Sequence, residues 1–286
     1  MNYVFFGSPE FAAIILEQLI AAGMAPALVV CNPDRPVGRK KIITPPLTKV
    51  VATRYGISVI QPESLRSNIW KSDFQILERT WDLFVVAAYA QIIPQAVLDL
   101  PKLGVIGVHP SLLPKYRGAT PIQSVILGGE TETGVTLYMM DDKIDHGQIL
   151  TTDNLPLTTD ATYRRLVREL AIVSVNLLVE TLPKFIDGKI ILQEQDHMTA
   201  TFTKKFATED GFVDLAKDDP IMIDRKVRAL NPDPGVYTLI DKKTKNHKNI
   251  KTRMKILETR IVEGKLELVV VQLDGKKPIA YQPLTT

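Results

Sequence analysis

The chain has 286 residues, 45% of them hydrophobic and 23% charged, and a formal net charge of +3. That composition suits a globular protein of one large or two moderate domains and argues against disorder. Its single cysteine, Cys31, excludes a disulfide framework and shows no metal-ligand spacing with His109, His146, His197 or His247, so no metal is expected.

Asn2 to Gly7 predicts a first strand, because it lacks the positive flank and long apolar run of a signal peptide. Ser8 can cap, and Pro9 can open, a helix running to about Ala22. Ala27 to Cys31 forms a second strand. The connection from Asn32 to Pro46 then exceeds the two to six residues usual between strand and helix. Within it Arg35, Arg39, Lys40 and Lys41 outweigh Asp34, which leaves two readings open: a surface excursion, or a loop that meets a polyanion beside a cleft.

Further strands are expected at Ser58–Ile60, Leu83–Ala88 and Val105–Val108, and a strand pair at Gly134–Met140 and Gln148–Thr152. Alternation of such runs with helical patterns predicts an α/β fold, a Rossmann-like, mostly parallel sheet with flanking helices. No G-x-G-x-x-G accompanies Gly7, so dinucleotide binding is not expected. Leu166, Leu170, Val173, Leu177 and Leu178 recur at helical steps within a long helix, Ala161 to Ile186.

Residues 1–189 are therefore assigned to a first, catalytic domain, 190–204 to a linker and 205–286 to a second domain. After a helical stretch, Ile221 to Leu230, the second domain reads as short strands: Val236–Ile240, Met254–Glu258, Leu266–Val271 and Ile279–Tyr281. That pattern predicts a small, OB-like β-barrel. From Thr201 onward 17 Lys+Arg face 12 Asp+Glu, and Lys242, Lys243, Lys245 and Lys248 concentrate the excess. Such a cluster is either a solvated hairpin face or a surface for phosphates. No apolar run reaches the length of a membrane span, so no membrane partner and a cytoplasmic location are expected.

His109 and Asp145 both follow strands and would project from the carboxyl edge of the sheet, where open α/β sheets bind ligands. Were the strands neighbours, the carboxylate would reach the imidazole, fix its tautomer and stabilise its charged form. A structural His–Asp pair would look the same from sequence.

Several words sharpen this. Ser111-Leu112-Leu113-Pro114, Arg117-Gly118, Thr120-Pro121-Ile122-Gln123, Gly134-Val135-Thr136 and Asp145-His146-Gly147 resemble the family of formyltransferases that use 10-formyltetrahydrofolate. The resemblance extends to Phe6–Phe11, Pro33–Arg39, Val85–Pro94, Asn231–Pro234 and Gln272–Pro278, and the basic loop and second domain mark its tRNA-acting branch. It implies an enzyme of translation initiation that formylates the α-amine of methionine on charged initiator tRNA. It also implies His109 as catalytic histidine and Asp145 as the carboxylate that orients it and assists proton removal. The folate cosubstrate would be held by Phe84, Ala88, Tyr89, Ala90, Gln91, Ile92, Ile93, Ser111, Leu112, Leu113, Pro114, Asp141 and Asp145, much of it through backbone groups. Arg35, Arg39, Lys40 and Lys41, with Lys242, Lys243, Lys245 and Lys248, would contact tRNA.

Two positions depart from the family. Gly107 stands where its members carry an Asn that donates to the formyl oxygen, and losing one such donor costs about 10²–10³ in rate. Either another group fills the gap, or His109 and the backbone suffice at reduced rate, or the chain is a folate- or tRNA-binding protein without catalysis. Retained but altered catalysis is the expectation. The segment between Leu257 and Leu266 is compressed, so the barrel is expected to be reduced. A sugar-nucleotide N-formyltransferase would share the folate domain without needing the basic segments, and a formate-releasing hydrolase would need neither.

Overall fold

The computed structural model describes residues 1–38, 40–65, 80–243 and 249–282. Arg39, Lys245 and Lys248 therefore lie outside the described residues. The chain divides into two compact units. The first comprises residues 1–121, 132–156 and 167–203, and the second 122–131, 157–166 and 204–286.

In chain order the first unit contributes β1 (Tyr3–Gly7), α1 (Glu10–Ala21), β2 (Leu28–Val30), β3 (Arg35–Val37), β4 (Ile42–Thr44), α2 (Leu47–Arg54), β5 (Ser58–Ile60), β6 (Leu83–Ala87), α3 (Gln95–Leu98), β7 (Val105–His109) and β8 (Arg117–Gly118). After α4 (Pro121–Gly128) come β9 (Glu132–Met139), β10 (Ile149–Pro156), α5 (Tyr163–Ile186) and β11 (Phe202–Thr203). Seven strands form one sheet in the order β10-β9-β7-β6-β1-β2-β5. β5, β2, β1, β6 and β7 run parallel, while β9 pairs antiparallel with both β7 and β10.

β1, β6 and β7 are buried at every residue, as continuous apolar runs should be in a parallel sheet covered on both faces. Phe6, Phe84, Trp81 and Tyr89 interlock on one side, with Phe6 and Phe84 ring centroids 5.3 Å apart. Each such side chain contributes roughly 1.5–3 kcal/mol by leaving water. The strand order reverses between β1 and β6, so a crevice opens at their carboxyl ends.

The basic stretch after β2 is a hairpin: β3 and β4 pair antiparallel and expose Val37, Ile42 and Ile43. Residues 190–203, expected as a linker, are tied to the first unit. Gln193 bridges Ile149, and β11 pairs with β8.

In the second unit α6 (Pro220–Leu230) is capped by Asp219, which accepts from the Ile221 and Met222 amides. The strands β12 (Val236–Lys243), β13 (Asn249–Val262), β14 (Lys265–Leu273) and β15 (Ile279–Ala280) form an antiparallel sheet in that order. Among the described residues it is an antiparallel meander with no first-to-last pairing. The compressed segment is the reason β13 and β14 are long. Glu263 (φ 49°) and Gly264 (φ 77°) both take the left-handed conformation of a two-residue hairpin turn, so the strands continue to its edge and no strand is lost there.

Candidate active site

The crevice at the carboxyl ends of the sheet is a cleft of about 650 Å³, a size suited to a ligand of cofactor dimensions. Its floor is a hydrogen-bonded layer of loops. The Ser8 hydroxyl accepts from the Asn32 amide, the Asn32 side chain donates to the Tyr89 carbonyl, and Gln91 Nε2 donates to Asn32 Oδ1. After β6 the backbone of Ala88 (φ 50°) and Ala90 (φ 61°) is left-handed, a strained turn of the kind that concentrates at ligand clamps. The hydroxyl of Tyr89, between them in sequence, is buried and has no hydrogen-bond partner among the described residues.

His109, the last residue of β7, is 5% exposed. Its Nε2 lies 2.9 Å from the Tyr116 carbonyl oxygen. A carbonyl can only accept, so Nε2 carries the proton and Nδ1 of the neutral ring presents its lone pair. The loop that brings Tyr116 round is strapped from within: Thr136 Oγ1 accepts from the Leu113 amide and donates to the Ser111 carbonyl, and Ser111 Oγ donates to the Lys115 carbonyl. Tyr116 itself is left-handed (φ 61°).

Asp145 Oδ2 stands 3.6 Å from His109 Nδ1, beyond hydrogen-bond distance. The Tyr116 carbonyl therefore sets the tautomer that sequence reasoning assigned to Asp145. The carboxylate is held by two other donors, the Gly118 amide to Oδ2 (2.7 Å) and the Tyr138 hydroxyl to Oδ1 (2.6 Å). Burial, then the Asp145 charge, pushes the Tyr138 phenol well above its ordinary ionisation range, so it stays a donor. Asp145 is left-handed (φ 47°), and Gln195 Nε2 braces it by donating to the Asp145 and Gly147 carbonyls. Gln195 is oriented in turn by the buried Arg117, whose Nε and Nη2 donate to Gln195 Oε1.

Ala88, Tyr89, Ala90, Gln91, Ile93, His109 and Asp145 thus meet on the cleft, together with Arg35 of the hairpin. Other expected folate contacts are elsewhere. Phe84 is fully buried against Phe6, because its strand position faces the core. Ile92 points to solvent at 63% exposure. Ser111, Leu112, Leu113 and Pro114 build the strap and do not line the cleft. Asp141 accepts from His146 Nδ1 at 2.7 Å, outside the cleft. Lys40 and Lys41 are exposed at the hairpin turn, and Lys242 and Lys243 close β12.

Sequence reasoning missed Tyr138, Tyr116, Gly118, Arg117 and Gln195. Backbone partners leave no residue-type signal, but Gly107 did carry one. Inside a strand, glycine marks close approach by another group, and here that group is Tyr138.

This site sits in a chain whose residues 1–182 match the family model described as formyl transferase, and whose residues 205–276 match that of its C-terminal domain. The chain belongs to the formyl transferase family. This formyl transferase is 44% identical over 238 residues to methionyl-tRNA formyltransferase of Chloroflexus aggregans, a match covering 83% of this chain and 76% of that protein. It is 38% identical over 290 residues to the protein of that name from Citrifermentans bemidjiense, covering 97% and 90%. Among solved structures, the sugar 3N-formyl transferase WlaRD, determined with dTDP and 5-N-formyl-THF, shares the fold at a TM-score of 0.62 and 19% identity, covering 100% of this chain and 99% of that one. Among the described residues of this formyl transferase no helix is long and apolar enough to cross a membrane. Nor does any group of three His, Cys, Asp or Glu there suit a metal ion.

Proposed function

We propose that the chain transfers the formyl group of 10-formyltetrahydrofolate to the α-amine of methionine on charged initiator tRNA. The observation that carries this reading is a cleft with a proton-accepting centre inside a formyl transferase whose relatives are named for that reaction. The folate brings the formyl group; the residues supply position and proton transfer. With Nε2–H given to the Tyr116 carbonyl, neutral His109 presents Nδ1 toward Asp145 Oδ2 3.6 Å away, and the two are assigned to receive the proton that the attacking amine must lose. The left-handed 88–90 turn is assigned to the pterin end of the folate, with Gln91 and Ile93 beside it.

Arg35, Lys40 and Lys41 on the hairpin, and the Lys242 and Lys243 end of β12, are assigned to tRNA phosphates. Arg35 is bound to Glu63 at 2.5 Å but both side chains are exposed, so the pair is weak enough to exchange for a phosphate.

The test supplies labelled 10-formyltetrahydrofolate with charged initiator tRNA, with an amino-sugar nucleotide, or with water alone. Label on the tRNA alone is the expected result. Label on the sugar, or released as formate only, overturns the reading.

A further inference from the structure

We propose that the Tyr138 hydroxyl donates a hydrogen bond to the formyl oxygen during transfer, from the space that a side chain at residue 107 would otherwise fill. The inference rests on the formyl-transfer reading above and adds a group to it.

Gly107 of β7 and Tyr138 of β9 are direct partners in the antiparallel ladder. A Cβ on residue 107 would lie 2.3 Å from Tyr138 Cε1, 2.5 Å from Cζ and 2.8 Å from the hydroxyl oxygen. The phenol therefore lies across the glycine and occupies the volume any longer side chain there would enter. Its hydroxyl arrives at the Asp145 carboxylate. It bonds Asp145 Oδ1 at 2.6 Å, and its ring meets the His109 ring edge-on with centroids 6.4 Å apart. The Tyr138 ring is 4% exposed and lines the cleft, so its one O–H has a short choice of acceptors. Gly107 and Tyr138 form a single exchange: the strand surrenders a side chain on one side and supplies a donor from the other.

The bonding changes balance with this donor in place. As the amine nitrogen bonds the formyl carbon, the carbonyl π pair moves to oxygen, and one N–H proton passes to Asp145, directly or through His109 Nδ1. Asp145 loses its charge as the formyl oxygen gains one, so the phenol O–H turns from the carboxyl to that oxygen. When the pair returns to re-form the carbonyl, the carbon–nitrogen bond to the donor breaks with its electrons on that nitrogen. Asp145 returns the proton there, and the phenol turns back.

Tyr138→Phe keeps the ring over Gly107 and removes only the hydroxyl. Its kcat with charged tRNA should fall about 10²-fold. The melting temperature should fall by no more than a few degrees, and both KM values and the equilibrium affinity for 10-formyl-5,8-dideazafolate in the absence of tRNA should stay within a few-fold of wild type, the pattern of an interaction made only in the transition state. Leucine ends short of Cε1, so Gly107→Asn combined with Tyr138→Leu places an amide in the vacated space. That pair should recover at least tenfold in kcat over Tyr138→Leu alone. Wild-type kcat in Tyr138→Phe overturns the proposal. So does a folded, analogue-binding double variant no faster than Tyr138→Leu, which would reduce Tyr138 to a clamp on Asp145. Wild type inactive toward every acceptor overturns the formyl-transfer reading, and the proposal with it.

Discussion

At His109 one contact decides the chemistry. Because Nε2–H is committed to the Tyr116 carbonyl, the neutral form of the ring turns the Nδ1 lone pair toward Asp145. Asp145→Asn keeps the size of the side chain and removes the acceptor, so kcat should fall about 10²–10⁴-fold with KM nearly unchanged, as measured by steady-state formylation. That His109 and Asp145 would meet was legible from their strands, which do prove neighbours. The third member was not, since Tyr138 enters from the facing strand and only the register places it over Gly107. Cys31, just after β2, shows what burial alone does. It is fully buried, and desolvation pushes its thiol from 9.0 to about 11. A folded pKa raised above the unfolded one favours folding while the thiol is protonated. Its contribution is therefore complete below pH 9.0 and lost as pH rises toward about 11. A thiol reagent at pH 8 should leave native Cys31 unmodified and label it only after denaturation; labelling of the folded protein would contradict its placement.

At the scale of elements, the long buried strands were legible because continuous apolar runs announce themselves. The basic hairpin was not. β3 and β4 are three residues each and wholly exposed, so no burial period marks them, and Pro36 and Gly38 read simply as loop. Their pairing converts a run of charge into a defined projection beside the cleft, with Arg35 on its wall. Charge reversal of Lys40 and Lys41 to Glu, at exposed turn positions, should raise KM for tRNA and leave that for folate unchanged. It should also flatten the slope of log affinity against log salt by about 1.4–1.8 if both meet phosphates. Equal effects on both substrates would instead assign the hairpin to the folate. The β13–β14 turn teaches a complementary lesson. Its shortness in the sequence suggested a missing strand, whereas two consecutive left-handed residues let both strands run to the edge.

At the scale of the whole molecule, the α/β sheet was legible from the alternation of strand and helix patterns. What composition concealed is that residues 122–131 and 157–166 belong with the second unit. The Ala161 carbonyl accepts from Arg228 Nη1, and Arg228 is paired at 2.7 Å with Asp224, which also accepts from Thr259. Those partners lie far apart in sequence, and no periodicity links them. A fragment of residues 1–203 should consequently melt at a lower temperature than the full chain and expose apolar surface to a hydrophobic dye, because it strands two segments without their partners. A fragment as stable as the whole would show that these contacts contribute nothing to the fold.

The role proposed for His109 in formylating methionine on charged initiator tRNA can be read from a single rate. The most direct measurement is the initial rate of N-formylmethionyl-tRNA formation from 10-formyltetrahydrofolate, for the wild-type chain beside His109→Ala. Wild type should turn over readily and the variant should lose about 10²-fold or more. A wild-type rate no higher than that of His109→Ala would contradict that role.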